Sequence, residues 1–147
     1  MSATLTQPEA DALLVMPKHR LDDTRHSYPV SGKLTLPLTS ADKREQFLLD
    51  IQRGRISLLK GTYQSRARLV VILARLDFGG PPHRNPDSEE IPCPHLHVYR
   101  EGWGDKWATA LSPDEFADAT DPWTLYTDFL RFCVITEPPV VLKDLFS

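Results

Sequence analysis

The sequence predicts an α+β fold: a curved, mainly antiparallel sheet, with barrel closure left open, flanked by an N-terminal helix and C-terminal helices. Three observations predict it. Between residues 28 and 111 the apolar residues recur at every second position, as in Leu34, Leu36, Leu38 and Phe47, Leu49, Ile51, the period of strands that bury one face. Helix-start signatures stand towards the two ends, at Thr6-Gln7-Pro8-Glu9, at Ser112-Pro113-Asp114-Glu115 and at Asp121-Pro122. A length of 147 residues, 41% hydrophobic and 25% charged, suits one soluble domain over 1–147 whose core forms without a metal or disulfide.

Thr6 and Glu9 have the spacing of a capping box, Ala10, Leu13 and Leu14 mark one helical face, and Pro17 stops the helix. Residues 18–27 are polar without a period and read as loop. Ser31-Gly32 and Arg53-Gly54 are the expected turns of the following strands. Residues 66–78 are apolar on both faces from Leu69 to Ala74, which predicts a central strand. Two glycines and three prolines in residues 79–87 exclude regular structure and leave an ordered loop or a lid. Residues 95–100 and 107–111 read as a hairpin turning through Gly102-Trp103-Gly104-Asp105. A helix is expected from Ser112 and a longer one from Asp121, with Tyr126, Phe129, Leu130 and Cys133 on its buried face. Pro138-Pro139 is expected to end the order, with a tail at Leu142 and Phe146 either packing as a strand or resembling sliding-clamp docking peptides.

No apolar run reaches the roughly 18–20 residues that cross a bilayer, and the start lacks a signal-peptide pattern. The expectation is a cytoplasmic protein with no membrane partner, its Cys93 and Cys133 reduced. A net charge of -3 argues against a protein that coats nucleic acid. Charge is nevertheless uneven: Arg53, Arg55, Lys60, Arg66, Arg68 and Arg75 occur without an acid between them. Folded into a sheet, that run predicts a basic face suited to an anionic ligand, unless acids elsewhere neutralise it.

The chemistry-bearing residues concentrate in 75–107. In a strand, His95, His97 and Tyr99 share one face, and His83 can fold back to them from the proline-rich loop. This predicts metal-independent cleavage of RNA, with one imidazole taking the 2′-hydroxyl proton, an acid protonating the leaving oxygen, His95 and His97 serving as acid and base, and cations stabilising the phosphorane. The expected catalytic residues are His95, His97, His83, Lys60 and Arg75. Arg66, Thr62, Tyr63, Gln64, Tyr99 and Arg84 are expected to bind the substrate. No cofactor and no metal are required by this reading, and the partner is RNA. A weaker alternative makes Cys93 a nucleophile.

Two other classes compete. His95-x-His97-x-x-x-Glu101 has the histidine and glutamate spacing of a cupin metal motif, without its glycines or its second motif, so a metal-binding protein is one alternative. The other is a non-enzymatic inhibitor that contacts a protein partner, such as an antitoxin or defence component, through its acidic C-terminal half.

The segments Leu5-Thr6-Gln7, Glu9-Ala10-Asp11, Lys60-Gly61-Thr62-Tyr63-Gln64, Arg75-Leu76-Asp77, His83-Arg84-Asn85-Pro86-Asp87, His95-Leu96-His97-Val98-Tyr99, Glu101-Gly102 and Asp105-Lys106-Trp107-Ala108 together resemble a bacterial family known only as a domain of unknown function. The resemblance spans nearly the whole chain. It implies a bacterial or phage origin and, for small proteins of this kind, a toxin-antitoxin or phage-defence setting. It brings no activity, substrate or catalytic residue.

Overall fold

A computed structural model describes residues 4–56 and 59–143. Helix α1 (Gln7–Val15) is followed by short strands β1 (Lys18–Arg20) and β2 (Arg25–Ser27), then by the long meander β3 (Gly32–Ser40), β4 (Gln46–Arg53), β5 (Gly61–Ala67) and β6 (Val71–Phe78). A small hairpin, β7 (His83–Arg84) and β8 (Glu90–Ile91), leads into β9 (His95–Val98) and β10 (Ala108–Ala110). Helix α2 (Pro122–Phe132) and strands β11 (Ile135–Glu137) and β12 (Val140–Leu142) complete the described chain.

Eight strands form one open sheet in the order β10-β9-β6-β5-β4-β3-β1-β11. All neighbours pair antiparallel except β1 with β11. The fold is the expected α+β arrangement. The capping box is formed, with Glu9 N–H donating to Thr6 Oγ1 at 3.2 Å and Thr6 N–H to Glu9 Oε1 at 3.0 Å.

Alternation sorts the sheet into two faces. Leu36, Leu38, Phe47, Leu49, Ile51, Tyr63, Leu73, Leu76 and Phe78 face the helices and are almost fully buried, with Leu125, Tyr126 and Phe129 of α2 and Leu13 of α1 completing the core. Helix α1 packs on β6, and α2 on β5 and β11. At about 1.5–3 kcal/mol per large apolar side chain, this face supplies the main driving force for folding. The opposite face is polar across four adjacent strands.

Several boundaries differ from the sequence expectation. Residues 18–27 are not loop throughout, because β1 is held by β3 and β11, and β2 by the distant β12 in parallel. Order therefore continues past Pro138-Pro139 into β12; Leu142 is half exposed, and Phe146 lies outside the described residues. The expected strand over 66–78 is broken by a turn in which Arg68 and Leu69 adopt left-handed φ values of 51° and 71°, leaving Leu69 and Val70 exposed. Ser112 starts a single turn, its carbonyl accepting from Glu115 and Phe116, so only the second of the two expected C-terminal helices forms. Asp121 caps it by accepting from Thr124 N–H at 3.2 Å.

The proline-rich segment is not irregular throughout, because His83 and Arg84 pair with Ile91 and Glu90 as β7 with β8. Gly79 opens it at φ 70°, where a Cβ would stand 2.1 Å from the Leu59 carbonyl oxygen. Buried Asn85 then fastens the loop to β10, its amide donating to Ala108 O at 3.0 Å and its Oδ1 accepting from Ala108 N at 2.8 Å.

Candidate functional site

The site is a product of register. Thr62 pairs with Asp77 and Asp77 with His95, while Gln64 pairs with Arg75 and Arg75 with His97. On β4 the same rows continue as Gln52 and Asp50. Residues paired directly across antiparallel strands share a face, so two polar rows run side by side over β4, β5, β6 and β9. Asp77, His95 and His97 converge at one end.

Their contacts are dense. Asp77 Oδ2 lies 3.3 Å from His95 Nε2, 3.2 Å from His97 Nε2 and 3.3 Å from an Arg75 guanidinium nitrogen. The Thr62 hydroxyl donates to Asp77 Oδ1 at 2.9 Å. Burial alone would raise the Asp77 carboxyl, but the His95 hydrogen bond, the Arg75 charge and the Thr62 hydroxyl outweigh it and hold the group far below the usual carboxylate range. Asp77 was absent from the expected catalytic set. Its place on one face with Arg75 was visible in the alternation; its meeting with two histidines was not.

The partners assign the tautomers. A carbonyl only accepts, so His97 carries its hydrogen on Nδ1, donated to Asp105 O at 2.7 Å, and its Nε2 accepts from Arg75 at 3.1 Å. His83 Nε2 donates to Lys106 O at 2.7 Å. His95 Nε2 faces the Asp77 carboxylate, and its Nδ1 is buried with no hydrogen-bond partner among the described residues. The ring centroids lie 4.6 Å apart for His83 and His97, 5.0 Å for His95 and His97, and 5.8 Å for His83 and His95. A cleft of about 420 Å³ adjoins this cluster, lined in part by Lys60, Thr62, Gln64, Arg75, Asp77, His83 and His95.

The structure thus brings together His83, His95, His97 and Arg75, with Lys60, Thr62 and Gln64 around the same cleft. It does not bring the others. His95 and His97 were expected on a face with Tyr99, but β9 ends at Val98 and Tyr99 turns into the core, where its hydroxyl donates to Leu5 O at 2.7 Å and accepts from Leu5 N at 2.9 Å. Tyr63 is fully buried on the helix side, its hydroxyl donating to Pro122 O at 2.7 Å and contacting the Tyr28 hydroxyl. Arg66 is committed to Asp50 by two bonds of 2.7 and 2.9 Å, and exposed Arg84 pairs with Glu90 at 3.3 Å. Tyr99, Tyr63 and Arg66 hold structure, Arg84 makes an exposed ion pair, and none of the four lines the cleft.

The expected basic face is largely neutralised. Asp50 takes Arg66, Glu45 takes Arg68, and Asp77 with Asp105 takes Arg75. Lys60, exposed at the cleft, has no carboxylate partner among the described residues. Cys93 lies against the loop, its thiol donating to Asp77 O at 3.4 Å and accepting from Gly80 N at 3.3 Å.

Residues 5–135 match Family of unknown function (DUF6978). The chain belongs to this family. The matched span takes in every segment on which the resemblance was drawn, from Leu5 to Ala108, and with them the DUF6978 residues of the Asp77 cluster. No curated protein and no solved structure matches the chain. Among the described residues of this DUF6978 member, no helix is long and apolar enough to cross a membrane.

Proposed function

We propose that this protein cleaves RNA without a metal, using the cleft between the Asp77 cluster and the proline-rich loop. The observation that carries the reading is the pairing of His95 with Asp77. The carboxylate holds Nε2–H and leaves the Nδ1 lone pair of a cleft-lining imidazole without a protein partner. A carboxylate that fixes one tautomer and stabilises the imidazolium makes the other ring nitrogen a general base.

In this scheme RNA entering the cleft uncovers the buried Nδ1 of His95, which takes the 2′-hydroxyl proton as the 2′-oxygen attacks phosphorus. The bond to the 5′-oxygen breaks, and that oxygen takes the Nδ1 proton of His83, the half-buried imidazole at the loop. His83 acts as its imidazolium, with Nε2–H kept on Lys106 O. The products are a 2′,3′-cyclic phosphate and a 5′-hydroxyl. Arg75 and Lys60 stabilise the charge on the phosphorane. Both ring nitrogens of His97 are engaged, by Arg75 and by Asp105 O, so it positions Arg75 and is not the acid or base that the sequence led one to expect. A toxin or phage-defence setting is part of the proposal only because small bacterial proteins of this kind often belong to one; the family match carries no setting.

The test is cleavage of a fluorescent single-stranded RNA by untagged protein in EDTA, beside the same oligonucleotide with 2′-deoxyribose throughout. Expected are a cyclic phosphate product, an inert deoxy substrate, and a loss of about 10²–10⁴-fold in His95→Ala and in His83→Ala at unchanged circular dichroism. Intact RNA with wild-type protein, or full activity in the His95→Ala, His97→Ala double variant, would refute the reading.

A further inference from the structure

The geometry points to a zinc-class divalent metal site at Asp77, His95 and His97, in which the ion and the Arg75 guanidinium exclude one another. This rests on the positions of ligand atoms and not on the cleavage reading. A tetrahedral shell with bonds of about 2.0–2.1 Å sets neighbouring donors about 3.3–3.4 Å apart. Asp77 Oδ2 stands 3.3 Å from His95 Nε2 and 3.2 Å from His97 Nε2, and the three donors lie within 4.8 Å of one another.

The lone pairs are correctly disposed. His97 keeps its hydrogen on Nδ1, against Asp105 O, so Nε2 offers a lone pair next to the carboxylate, an arrangement that needs a cation beside it. Such a carbonyl behind the ring is also what orients metal-binding imidazoles. The Thr62 hydroxyl fixes the carboxylate in the same way. Asp77 alone holds the hydrogen of His95 on Nε2. An ion that takes over the carboxylate removes that hold, the hydrogen moves to Nδ1, which has no other partner, and Nε2 becomes the third donor. Two imidazoles and one carboxylate suit zinc and its neighbours, with a fourth position left for water.

Arg75 occupies the cation's place, 3.1 Å from His97 Nε2 and 3.3 Å from Asp77 Oδ2. With the histidines neutral, Asp77, Asp105 and Arg75 sum to one negative charge, so a cation demand remains. Metal entry requires Arg75 to swing out; its partner Asp105 lies in the turn after β9, outside the strands. A bound ion would take Asp77 and His95 out of catalysis and inhibit cleavage.

Untagged protein dialysed against EDTA is titrated with zinc by calorimetry, and with cobalt by absorption. Expected are one equivalent bound and the intense visible bands of tetrahedral cobalt. Asp77→Asn and His97→Gln should weaken binding by about 10–100-fold or more, as loss of even an outer partner does, while Arg75→Ala should tighten it about tenfold. Failure of wild-type protein to take up an equivalent, binding unchanged in Asp77→Asn, or binding weakened by Arg75→Ala would each overturn the inference. The two readings fail separately: an active protein that takes up no zinc removes the metal site alone, and zinc that is required for cleavage removes metal-free catalysis alone.

Discussion

Asp105 grips Arg75 from beyond the sheet, its Oδ2 lying 2.6 Å from a guanidinium nitrogen, while its backbone carbonyl accepts from His97 Nδ1 at 2.7 Å. One residue of the turn after β9 thus fixes both a cation and the imidazole beside it. The carboxylate also cancels charge that a phosphate would otherwise meet.

Asp105→Asn removes that charge and keeps the carbonyl contact to His97. Affinity for single-stranded RNA is expected to rise, and the slope of log affinity against log salt to steepen by about 0.7, the value for one more neutralised phosphate. Fluorescence anisotropy over a salt series measures it. An unchanged slope would mean that Arg75 does not reach the ligand.

Asn85→Ala strips both bonds from the Ala108 backbone, leaving a buried N–H and carbonyl unpaired. A loss of about 2–3 kcal/mol is expected, read as a lower urea midpoint. Amide exchange should quicken in the β7–β8 hairpin that carries His83.

Tyr99→Phe removes both hydrogen bonds to Leu5. The expected cost is about 1–3 kcal/mol, with faster exchange of the Leu5 amide. If Tyr99 instead bound substrate, the variant would lose activity with no change in stability.

Lys18 is fully buried, its ammonium donating to the carbonyls of Leu14, Met16 and Cys133 at 2.8, 3.0 and 2.7 Å. Burial lowers its pKa from 10.5 to about 8. The unfolded chain therefore holds this proton more tightly, unfolding takes it up, and the contribution of Lys18 to stability rises as pH climbs from about 8 to 10.5. Urea midpoints of wild-type and Lys18→Met protein across that interval should change relative to each other in that sense, with the variant about 2–4 kcal/mol less stable near neutral pH from its unpaired carbonyls. Parallel pH profiles would show that Lys18 keeps its proton throughout.

Legibility followed the range of the physics. Period-two alternation placed Leu34 to Ile51 in strands and put His95 and His97 on one face, because side-chain direction in a strand is a local property. The cap at Thr6 was equally local. The turn at Arg68 and Leu69 was not, since two non-glycine residues with left-handed φ leave no signature in residue type. Strands β1, β2 and β12 are three residues each and gain their order from partners far along the chain. The neutralisation of Arg66 by Asp50, the junction of Asp77 with His95, and the capture of Tyr99 by Leu5 depend on register and on the N-terminal segment, neither of which a single stretch of sequence displays.

The separation of the sheet into an apolar and a polar face also bears on how this protein can change over evolutionary time. Gln52 and Lys60 bound the cleft from exposed side chains that none of the core depends on. Substitutions there meet solvent and not a packed neighbour, so most cost little stability. Ligand preference can drift at these positions while Leu49, Tyr63 and Leu76 behind them hold the scaffold still. Selection on the ligand and selection on the fold thus act on alternate residues of the same strands.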